Sequence, residues 1–554
     1  MDGKLFDIYP TLTQFRLGQC VEILLEMPSS IRASDAISIS VYHHHEIVFQ
    51  SQSAVKEIEQ QNGLVNIGTF PNGGYHITAN LVSESYEWQA SSAFDIADGW
   101  WAAPRYSFLC NFQPTSSHED IQSFFRKFHL NVSQFYDWME RHDALVPRTQ
   151  NFVDPMGRML STDGILSRMH ALKDIQTACF AYAAVYASLA DYAQLHPEEG
   201  IYDNRGSQLS LISIFYLMDI SEGSSWRNHI IAEFKRVLDF GFDGLHLDQY
   251  GFPKLAARSD GTSFWMDEAY RSFINDCRTM LGNTAGLLFN AVSSYPIHSV
   301  STADQNAVYV EIWPPMVRYR HLLDVITRIR LMTNGKKQVI LAAYLKAFRS
   351  EPYTSADALV KSALLVTAVI YASGGYHLVL GESSGMLTEP YYPDYVSMPL
   401  ELERPLRFMY DIVTADAELL SGFNVSDVTF SFTAGINDDI RIDGVPISIE
   451  PEKGTVWVRV TKSSSGLLIH FINLLWLEND TWNYVHKELF QPAPSLDVSI
   501  EWNGPLSGVW TQSADAPGWH RAETVWVPHV RGEAVQVTVP SFDVWSMLFI
   551  PFHT

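Results

Sequence analysis

The chain has 554 residues, a length that at about 150 residues per domain predicts three or four folded units instead of one core. Its 62 acidic and 38 basic residues give a formal net charge of −24, which repels nucleic acid phosphates and anionic membrane headgroups. Nucleic acid and membranes are therefore not expected as partners. The 13% of aromatic residues suits neutral ligands such as sugars, although core packing explains aromatic residues equally well.

The cysteines and the first residues bear on cofactors and compartment. Four cysteines lie far apart with no Cys-x-x-Cys pair, so we expect buried free thiols, with neither a structural zinc site nor a disulfide framework. They are Cys20, Cys110, Cys179 and Cys277. The first fifteen residues lack the charged start and apolar run of a signal peptide, which predicts a cytoplasmic protein, or a secreted one whose signal has been removed.

The part of the chain up to residue 97 shows short alternating runs separated by turn residues. These runs cover 20–27, 36–41, 46–50 and 75–82. Period-two runs between Pro, Gly, Asn and Ser turns predict an antiparallel β-sandwich. His43, His44 and His45 fall in this part, and because adjacent residues of a strand point to opposite faces, we do not expect the three to converge on one metal ion.

Between residues 98 and 424, apolar runs alternate with stretches of helical periodicity, which is typical of a parallel sheet covered by helices. The eight candidate strands are 106–112, 132–136, 177–184, 244–249, 286–291, 307–312, 338–344 and 376–381. Eight strand–helix units predict a (β/α)8 TIM barrel with long loops after its strands. The run 209–218 is also strand-like, and we place it in the long loop before strand four.

Alternation returns after residue 425. The runs there are 454–461, 466–473, 496–502 and 534–539. They predict a second all-β domain at the end of the chain. The expected domains are thus 1–97, 98–424 and 425–554.

Two strand ends carry candidate catalytic residues. In TIM barrels the active site lies at the C-terminal ends of the strands. Strand four, in GFDGLHLDQYG, ends at Asp248, and strand six, in AVYVEIWPP, ends at Glu311 beside Trp313. Cleavage of a glycosidic bond needs such a pair, in which one carboxylate attacks the anomeric carbon and the other donates a proton to the leaving oxygen. Either residue could instead cap a helix or pair with an arginine, so spacing alone leaves the choice open.

Longer motifs carry a resemblance to a known family. The segment 215–251, together with QFYDWMERH at 134–142, PRYSFLCNF at 104–112, FNAV at 289–292 and VEIWP at 310–314, closely resembles glycoside hydrolase family 66. That family comprises the dextranases and the cycloisomaltooligosaccharide glucanotransferases.

The resemblance implies roles for both carboxylates and an architecture. By its motifs, Asp248 is the nucleophile and Glu311 the acid/base of a retaining enzyme that acts on α-1,6-linked glucan without a cofactor. The implied fold is a central (β/α)8 barrel between an N-terminal immunoglobulin-like β-sandwich and a C-terminal Greek-key β-sandwich.

Other residues near the strand ends are candidate sugar contacts, since rings can stack on a glucose face and polar groups can bind its hydroxyls. They are Asp137, Trp138, Arg141, His142, Tyr182, Gln249, Asn290, Trp313, Tyr344 and Glu382. His246 lies on the same strand face as Asp248, but with no further His or Cys ligand nearby we expect no metal.

Several functions stay open from the sequence. The first is a retaining, endo-acting dextranase-like hydrolase, and the second is a transglycosylase or cycloisomaltooligosaccharide glucanotransferase that uses a sugar hydroxyl in place of water. A non-catalytic glucan-binding protein and a metal-dependent hydrolase are further alternatives. The cyclising members resemble dextranases with an extra carbohydrate-binding module inside the barrel, and the absence of an all-β insert between residues 99 and 423 favours hydrolysis.

Overall fold

A computed structural model describes most of the chain. The described residues are 6–28, 31–32, 34–83, 87–113, 118–203, 205–349, 356–433, 437–486 and 489–552. Three apolar cores follow one another along them: one lies within the first hundred residues, a large one is centred on the middle of the chain, and one lies in the last part. No helix within the described ranges combines the length and the apolar character that crossing a bilayer requires.

Two antiparallel sheets form the N-terminal part and share one apolar core. Their strands are Asp7–Pro10, Val21–Glu26, Ala36–His43, Glu46–Ala54, Leu64–Gly68, Gly73–Val82 and Glu87–Ile96, with the helix Val55–Gln60 between the fourth and fifth. The four predicted strands are confirmed. In Val21–Glu26 every second residue is buried, as expected of a strand with one face on a core.

The histidine run departs from the prediction. The strand Ala36–His43 ends at its first histidine, and His44 has a φ of 50° in the turn that follows. A turn does not preserve the alternation of a strand, so the expectation of opposite faces is wrong for His43 and His44, while His45 packs on Trp510 and the three histidines do not converge. Nε2 of His43 and Nε2 of His44 lie 3.3 and 3.6 Å from the same oxygen, Oε2 of Glu418.

The middle of the chain forms an eleven-stranded curled sheet. Its strands are Tyr106–Leu109, Val132–Phe135, Ala178–Ala184, Gly244–Asp248, Gly286–Asn290, Ala307–Glu311, Val339–Ala342, Tyr376–His377, Leu380–Gly381, Gly385–Met386 and Val396–Ser397. All eight predicted strands are confirmed, the eighth as two short pieces. Of these pieces, Tyr376–His377 pairs with the seventh strand and Leu380–Gly381 with the first, both in parallel, so the first and last predicted strands meet.

Helices cover this sheet. Those of the middle of the chain are Glu119–Lys127, Thr162–Asp174, Ala190–Leu195, Ser225–Phe240, Met266–Leu281, Ile297–Val300, Tyr319–Met332, Ala356–Ala372, Leu400–Ala415 and Ala417–Leu420. The helix Ser225–Phe240 buries Trp226, Ile230 and Phe234, which recur every four residues, and it ends at Gly241, whose φ of 129° suits glycine.

Short strands occupy the loops that follow the sheet strands. They are Asn151–Val153, Met159–Ser161, Ala187–Ser188, Ser210–Leu211, Phe215–Leu217, Leu255–Ala257 and Ser263–Trp265. The segment predicted to lie in the long loop before strand four contributes two of them to a small three-stranded sheet. At the N-terminal ends of the curled-sheet strands, Phe180 fills the interior beside Gly244 and Gly286. A methyl group on either glycine would overlap the ring of Phe180.

The last part of the chain is again all-β apart from the short helix Thr429–Phe432. Its strands are Ser426–Asp427, Ile440–Asp443, Ile447–Ser448, Val456–Lys462, Gly466–Asn473, Leu496–Glu501, Trp510–Ser513, Ala516–Arg521, Thr524–His529, Gly532–Val539 and Trp545–Pro551. They form a seven-stranded and a four-stranded sheet, and the four predicted runs are confirmed. All cysteines are free thiols as expected, but the prediction that all are buried is wrong for Cys20, which is exposed.

Candidate active site

A cavity of about 570 Å³ lies at the C-terminal ends of the curled-sheet strands. Nine of the twelve residues predicted for the site line it. They are Asp137, His142, Tyr182, Asp248, Gln249, Asn290, Glu311, Trp313 and Tyr344. Since these residues come from six different strands or the loops after them, only the closure of the sheet brings them together.

Three consecutive strands deliver the polar centre of this cavity. Asp248, Asn290 and Glu311 are the last residues of their strands, and each strand pairs in parallel with the next. Buried apolar residues precede all three, so each strand is anchored in the core while its polar end residue reaches the cavity.

Asn290 links the two carboxylates. Its Nδ2 donates to Oδ1 of Asp248 at 2.8 Å and lies 3.3 Å from Oε2 of Glu311, to which it also donates. One nitrogen within reach of both oxygens places these oxygens at most about 6 Å apart, the reach of two hydrogen bonds. Retaining glycosidases separate their carboxyl groups by roughly 5–5.5 Å, and inverting ones by about 6.5–9.5 Å.

Each carboxylate also has a tyrosine of its own. The Tyr182 hydroxyl donates to Oδ2 of Asp248 at 2.7 Å, and the Tyr344 hydroxyl donates to Oε1 of Glu311 at 2.7 Å. Across the described residues, no Lys, Arg or His forms a salt bridge with either group. The hydrogen bonds to the pair therefore come from neutral donors that orient the oxygens, while the charge of Lys346 opposes the rise in the pKa of Glu311.

Burial changes the titration of this pair. It raises the pKa of Asp248 to about 7, and the nearby charge of Glu311 adds to the effect, while the bonds from Tyr182 and Asn290 oppose it. Burial also raises the pKa of Glu311, against the bond from Tyr344. Two carboxyl groups that disfavour double ionisation share one proton near neutral pH, which is the state that acid/base chemistry requires.

Asp137 and His142 form a second polar group in the cavity, 3.8 Å apart between Oδ1 and Nε2. Burial raises the pKa of Asp137 to about 7 even though Arg158 opposes it, and burial lowers the pKa of His142 to about 3. Among the described residues, neither ring nitrogen of His142 has a hydrogen-bond partner. A neutral, buried imidazole with both nitrogens free is suited to binding ligand hydroxyls.

Three predicted residues do not reach the cavity. Trp138 is fully buried against Phe240 and Phe242. The left-handed backbone of Asp137, with a φ of 42°, turns the chain so that Asp137 faces the cavity and Trp138 faces the core. Arg141 forms ion pairs with Asp143 and Asp191. Glu382 is buried and accepts hydrogen bonds from the backbone N–H groups of Cys110 and Asn111. These side chains hold the loops in place.

Sequence reasoning missed several aromatic residues of the cavity. The additional rings are Tyr136, Phe215, Tyr250, Tyr391 and Tyr392. The rings of Tyr136 and Tyr392 stack at 4.4 Å between centroids, although Tyr136 ends the second predicted strand and Tyr392 follows the eighth. The aromatic run EPYYPDY at 389–395, after the eighth predicted strand, could have indicated Tyr391 and Tyr392.

His246 and potential metal ligands lie outside the chemistry of this pair. Nδ1 of His246 is hydrogen-bonded to the Tyr106 hydroxyl at 2.9 Å, and burial lowers the pKa of the imidazole to about 3. In the ranges that the structure describes, two groups of His and acidic residues are close enough to share an ion. They are His43, His44 and Glu418, and His196, Glu198 and Glu199, and neither group lines the cavity.

A cavity at the C-terminal ends of a curled parallel sheet, with two linked carboxylates and neutral aromatic walls, is the arrangement of a glycoside-cleaving enzyme. The family profile described as Glycosyl hydrolase family 66 matches residues 14–549. The chain belongs to this family and is a glycoside hydrolase.

Individual relatives are distant in sequence but extend over most of the chain. A cycloisomaltooligosaccharide glucanotransferase of Niallia circulans is 22% identical over 703 residues, covering 99% of this chain and 72% of that protein. A dextranase of Streptococcus salivarius is 22% identical, covering 87% of this chain and 68% of that protein. The crystal structure of a Paenibacillus sp. cycloisomaltooligosaccharide glucanotransferase complexed with cycloisomaltoheptaose has the same fold, with a TM-score of 0.86, 21% identity, and coverage of 99% of this chain and 100% of that one.

Proposed function

We propose that this glycoside hydrolase is dextranase-like and cleaves α-1,6-glucosidic linkages of dextran or isomalto-oligosaccharides with retention of anomeric configuration. The observation that carries the proposal is the Asn290 side chain, which bonds to both carboxylates and limits the distance between the two bonded oxygens to about 6 Å, below the separation of an inverting pair. Relatives named dextranase and cycloisomaltooligosaccharide glucanotransferase support the choice of glucan.

The reaction proceeds in two displacements. In the first, an oxygen of Asp248 bonds to the anomeric carbon while the C1–O bond to the departing glucan breaks, and Glu311 gives its proton to that oxygen. In the second, ionised Glu311 takes a proton from water, the water oxygen bonds to C1, and the bond from Asp248 breaks. The enzyme returns to its starting protonation state, and no cofactor enters either step.

The neighbours of each carboxylate support these roles. Asn290 is closer to Asp248, at 2.8 Å, than to Glu311, at 3.3 Å, so the amide favours the negative charge on Asp248. With Asp248 ionised, its repulsion adds to burial in keeping the proton on Glu311. This distribution of one proton gives a nucleophile and an acid in the same pocket.

The cavity walls suit a neutral sugar. We assign glucose contacts to Asp137, His142 and Gln249 through hydroxyl hydrogen bonds, and to Trp313 and Tyr344 through ring faces. The chain's net charge of −24 repels polyanions but has no such effect on a neutral glucan.

The domain organisation belongs to the same proposal. We assign residues 1–97 to an immunoglobulin-like β-sandwich, 98–424 to a (β/α)8 barrel and 425–554 to a Greek-key β-sandwich. The pairing of residues 376–381 with both the first and the seventh strand supports a closed barrel. The two-sheet arrangement with its own core at each end of the chain supports the flanking sandwiches.

Transglycosylation is the second candidate, because a sugar hydroxyl can replace water in the second step without any change of catalytic residues. The glucanotransferase relatives favour it. The alignment with the Niallia circulans protein extends over 703 residues although this chain has 554, so that relative carries segments that have no counterpart here, whereas the Paenibacillus glucanotransferase structure is covered over 100% of its length.

Incubation with dextran and with isomaltotriose tests the proposal. We expect new reducing ends and a fall in mean dextran size from the start of the reaction, with no cyclic products and none longer than the substrate. Linear amylose, whose linkages are α-1,4, is the matched control and is expected to stay intact. Cyclic or elongated products would instead identify a transglycosylase, and unchanged activity of Asp248→Ala would identify a site elsewhere.

A further inference from the structure

A second cluster of chemically active side chains lies where the N-terminal sheets meet the short helix Ala417–Leu420. His43 and His44 approach it from the turn after the strand Ala36–His43, and Glu418 lies on the helix. Their ligand atoms are all within 4.8 Å of one another. None of the three lines the active-site cavity, so the proposed hydrolysis gives them no role.

The distances in this cluster do not fit good hydrogen bonds. Oε2 of Glu418 is 3.3 Å from Nε2 of His43 and 3.6 Å from Nε2 of His44, whereas charge-assisted N–H···O bonds are about 2.7–2.9 Å long. Ligand atoms that share a tetrahedral ion at about 2.0–2.1 Å lie about 3.3–3.4 Å apart. The separations therefore fit a shared ion better than direct bonds.

His44 provides independent evidence for a ligand. Its side chain is 7% exposed, and among the described residues its Nε2 has no hydrogen-bond partner. Its other nitrogen, Nδ1, lies 3.5 Å from Oδ1 of Asp416, which is the longest distance that still counts as a hydrogen bond, and since a carboxylate only accepts, Nδ1 is the donor in this contact. With the proton on Nδ1, the lone pair of Nε2 points at the carboxylate of Glu418, an arrangement that a cation between them would stabilise.

The surroundings match those of known metal sites in two respects. A metal-binding histidine commonly donates its second N–H to a carboxylate, which fixes the tautomer, and Asp416 occupies that position for His44. Gly73 leaves space beside the cluster, because a Cβ there would lie 3.3 Å from both Nε2 of His43 and Oε1 of Glu418. The side chains of His43 and Glu418 are 36% and 45% exposed, which gives an ion a path from solvent.

We propose that His43, His44 and Glu418 bind one divalent transition-metal ion of the zinc class, with water as the fourth ligand. Two imidazoles and one carboxylate suit Zn²⁺, and the harder Ca²⁺ and Mg²⁺ prefer oxygen ligands only. Because the ligands come from the first strands and from a helix about 375 residues later, the ion joins the N-terminal sheets to the body of the enzyme. It stabilises the chain and takes no part in hydrolysis.

Zinc titration of the chelator-treated full-length protein tests the proposal directly. We expect one Zn²⁺ per chain by calorimetry, and an affinity at least about 100-fold weaker in His43→Ala and in Glu418→Gln. Both substitutions affect partly exposed side chains, so each variant is expected to fold and to keep its activity on dextran. Zn²⁺ raises the Tm of the wild-type protein and leaves that of both variants unchanged. Co²⁺ at this site is expected to give the intense visible absorption of tetrahedral coordination.

The other His/Glu group of the described residues supplies the control. His196→Ala disrupts the group formed with Glu198 and Glu199, and we expect it to bind Zn²⁺ as the wild type does. The proposal is overturned if the wild-type chain binds no Zn²⁺, if both His43→Ala and Glu418→Gln bind it with wild-type affinity, or if only His196→Ala loses it. None of these outcomes depends on the proposed glucanase activity.

Discussion

Two kinds of buried carboxylate occur in this protein. Asp95 accepts two hydrogen bonds from the guanidinium of Arg105, at 2.9 and 2.7 Å, and one from Gln14. Asp248 and Glu311, at the cavity, accept hydrogen bonds from tyrosine hydroxyls and an asparagine amide, and within the described ranges neither forms an ion pair. The scaffold thus cancels the charge of its carboxylates, while the active site orients the oxygens and leaves the charge uncompensated.

The two kinds of carboxylate differ in the direction of their pKa shifts. Although burial alone would raise the pKa of Asp416, the charge of His76 and the hydrogen bonds from His44 and His76 hold it well below its usual range, so this scaffold carboxylate stays ionised. Burial without a cation raises the pKa of Asp248 to about 7. Perturbed pKa values of this kind cluster at reactive sites, although burial also raises the pKa of Glu382, which lies outside the cavity.

Removing either cavity carboxylate has the largest expected effect on activity. Asp248→Ala and Glu311→Ala are each expected to lower kcat on dextran on the order of 10⁴-fold, or somewhat less for substrates with good leaving groups. Azide then separates the roles when an activated α-glucoside is the substrate. In Asp248→Ala it replaces the nucleophile and gives the β-azide, whereas in Glu311→Ala it attacks the glycosyl-enzyme and gives the α-azide. Exchanged products would reverse the assignments.

Removing a scaffold carboxylate is expected to affect stability instead. Asp95→Asn leaves the buried Arg105 without its counter-charge, which costs about 3–5 kcal/mol of the free energy of unfolding. The folded fraction keeps its kcat, because Asp95 does not line the cavity. Urea unfolding with parallel activity assays measures both effects, and an unchanged unfolding midpoint would mean that this pair does not stabilise the fold.

The pH dependence of stability gives a matched test at Asp248. Its pKa is about 7 in the folded protein against 3.8 ordinarily, so between these values the native state binds more protons than the unfolded state. The contribution of Asp248 to wild-type stability therefore falls as pH rises through this window. Asp248→Asn removes this dependence, and we expect its Tm advantage over the wild type to grow from about pH 5 to about pH 8. An advantage independent of pH would show that Asp248 titrates normally.

Removing the hydroxyl of Tyr182 or Tyr344 is expected to shift the pKa of the carboxylate it contacts, with a smaller loss of activity than removing the carboxylate. Each donates to a carboxylate and so favours its ionised form. Tyr182→Phe is expected to raise the pKa of Asp248 and to move the acid limb of the kcat/KM profile to higher pH, while Tyr344→Phe raises the pKa of Glu311 and moves the alkaline limb upwards. Each loss of activity at the optimum is about tenfold. Equal shifts of both limbs in both variants would show that the tyrosines act on the pair as a whole.

The smallest expected effects are those of two tryptophan substitutions, one in the core and one in the cavity. Trp138→Phe loses the bond from Nε1 to the carbonyl oxygen of Tyr182, which is worth about 1 kcal/mol of stability, and leaves KM for dextran unchanged. Trp313→Phe alters a ring in the cavity and is expected to raise KM with little change in Tm. Thermal unfolding and initial rates on both variants check the assignment, and a raised KM for Trp138→Phe would place that ring in substrate binding.

Much of the fold follows from the sequence because local patterns specify it. Strands such as Gly244–Asp248 are short apolar runs bounded by glycine and polar residues, and where a run ends in a polar residue, as at Asp248, Asn290 and Glu311, that residue reaches the cavity. The carboxylates Asp248 and Glu311 were predictable for this reason, and their roles also drew on family motifs.

Other features depend on contacts that a local pattern does not encode. Whether Asp137 or Trp138 faces the cavity depends on one left-handed backbone conformation, with a φ of 42°. The stacking of Tyr136 on Tyr392 and the pairing of Asp95 with Arg105 arise only once the sheet has closed. The left-handed turn at His44 likewise brings His43 and His44 together, which strand alternation does not predict.

The anomeric configuration of the first product tests the central claim most directly, because it reports how the two carboxylates act together. Proton NMR of isomaltotriose or dextran cleavage, recorded before mutarotation, is expected to show the α-anomer of the new reducing end first, with the β-anomer rising later. Initial appearance of the β-anomer would mean a single displacement by water, and would contradict the assignment of Asp248 as a nucleophile held beside Glu311.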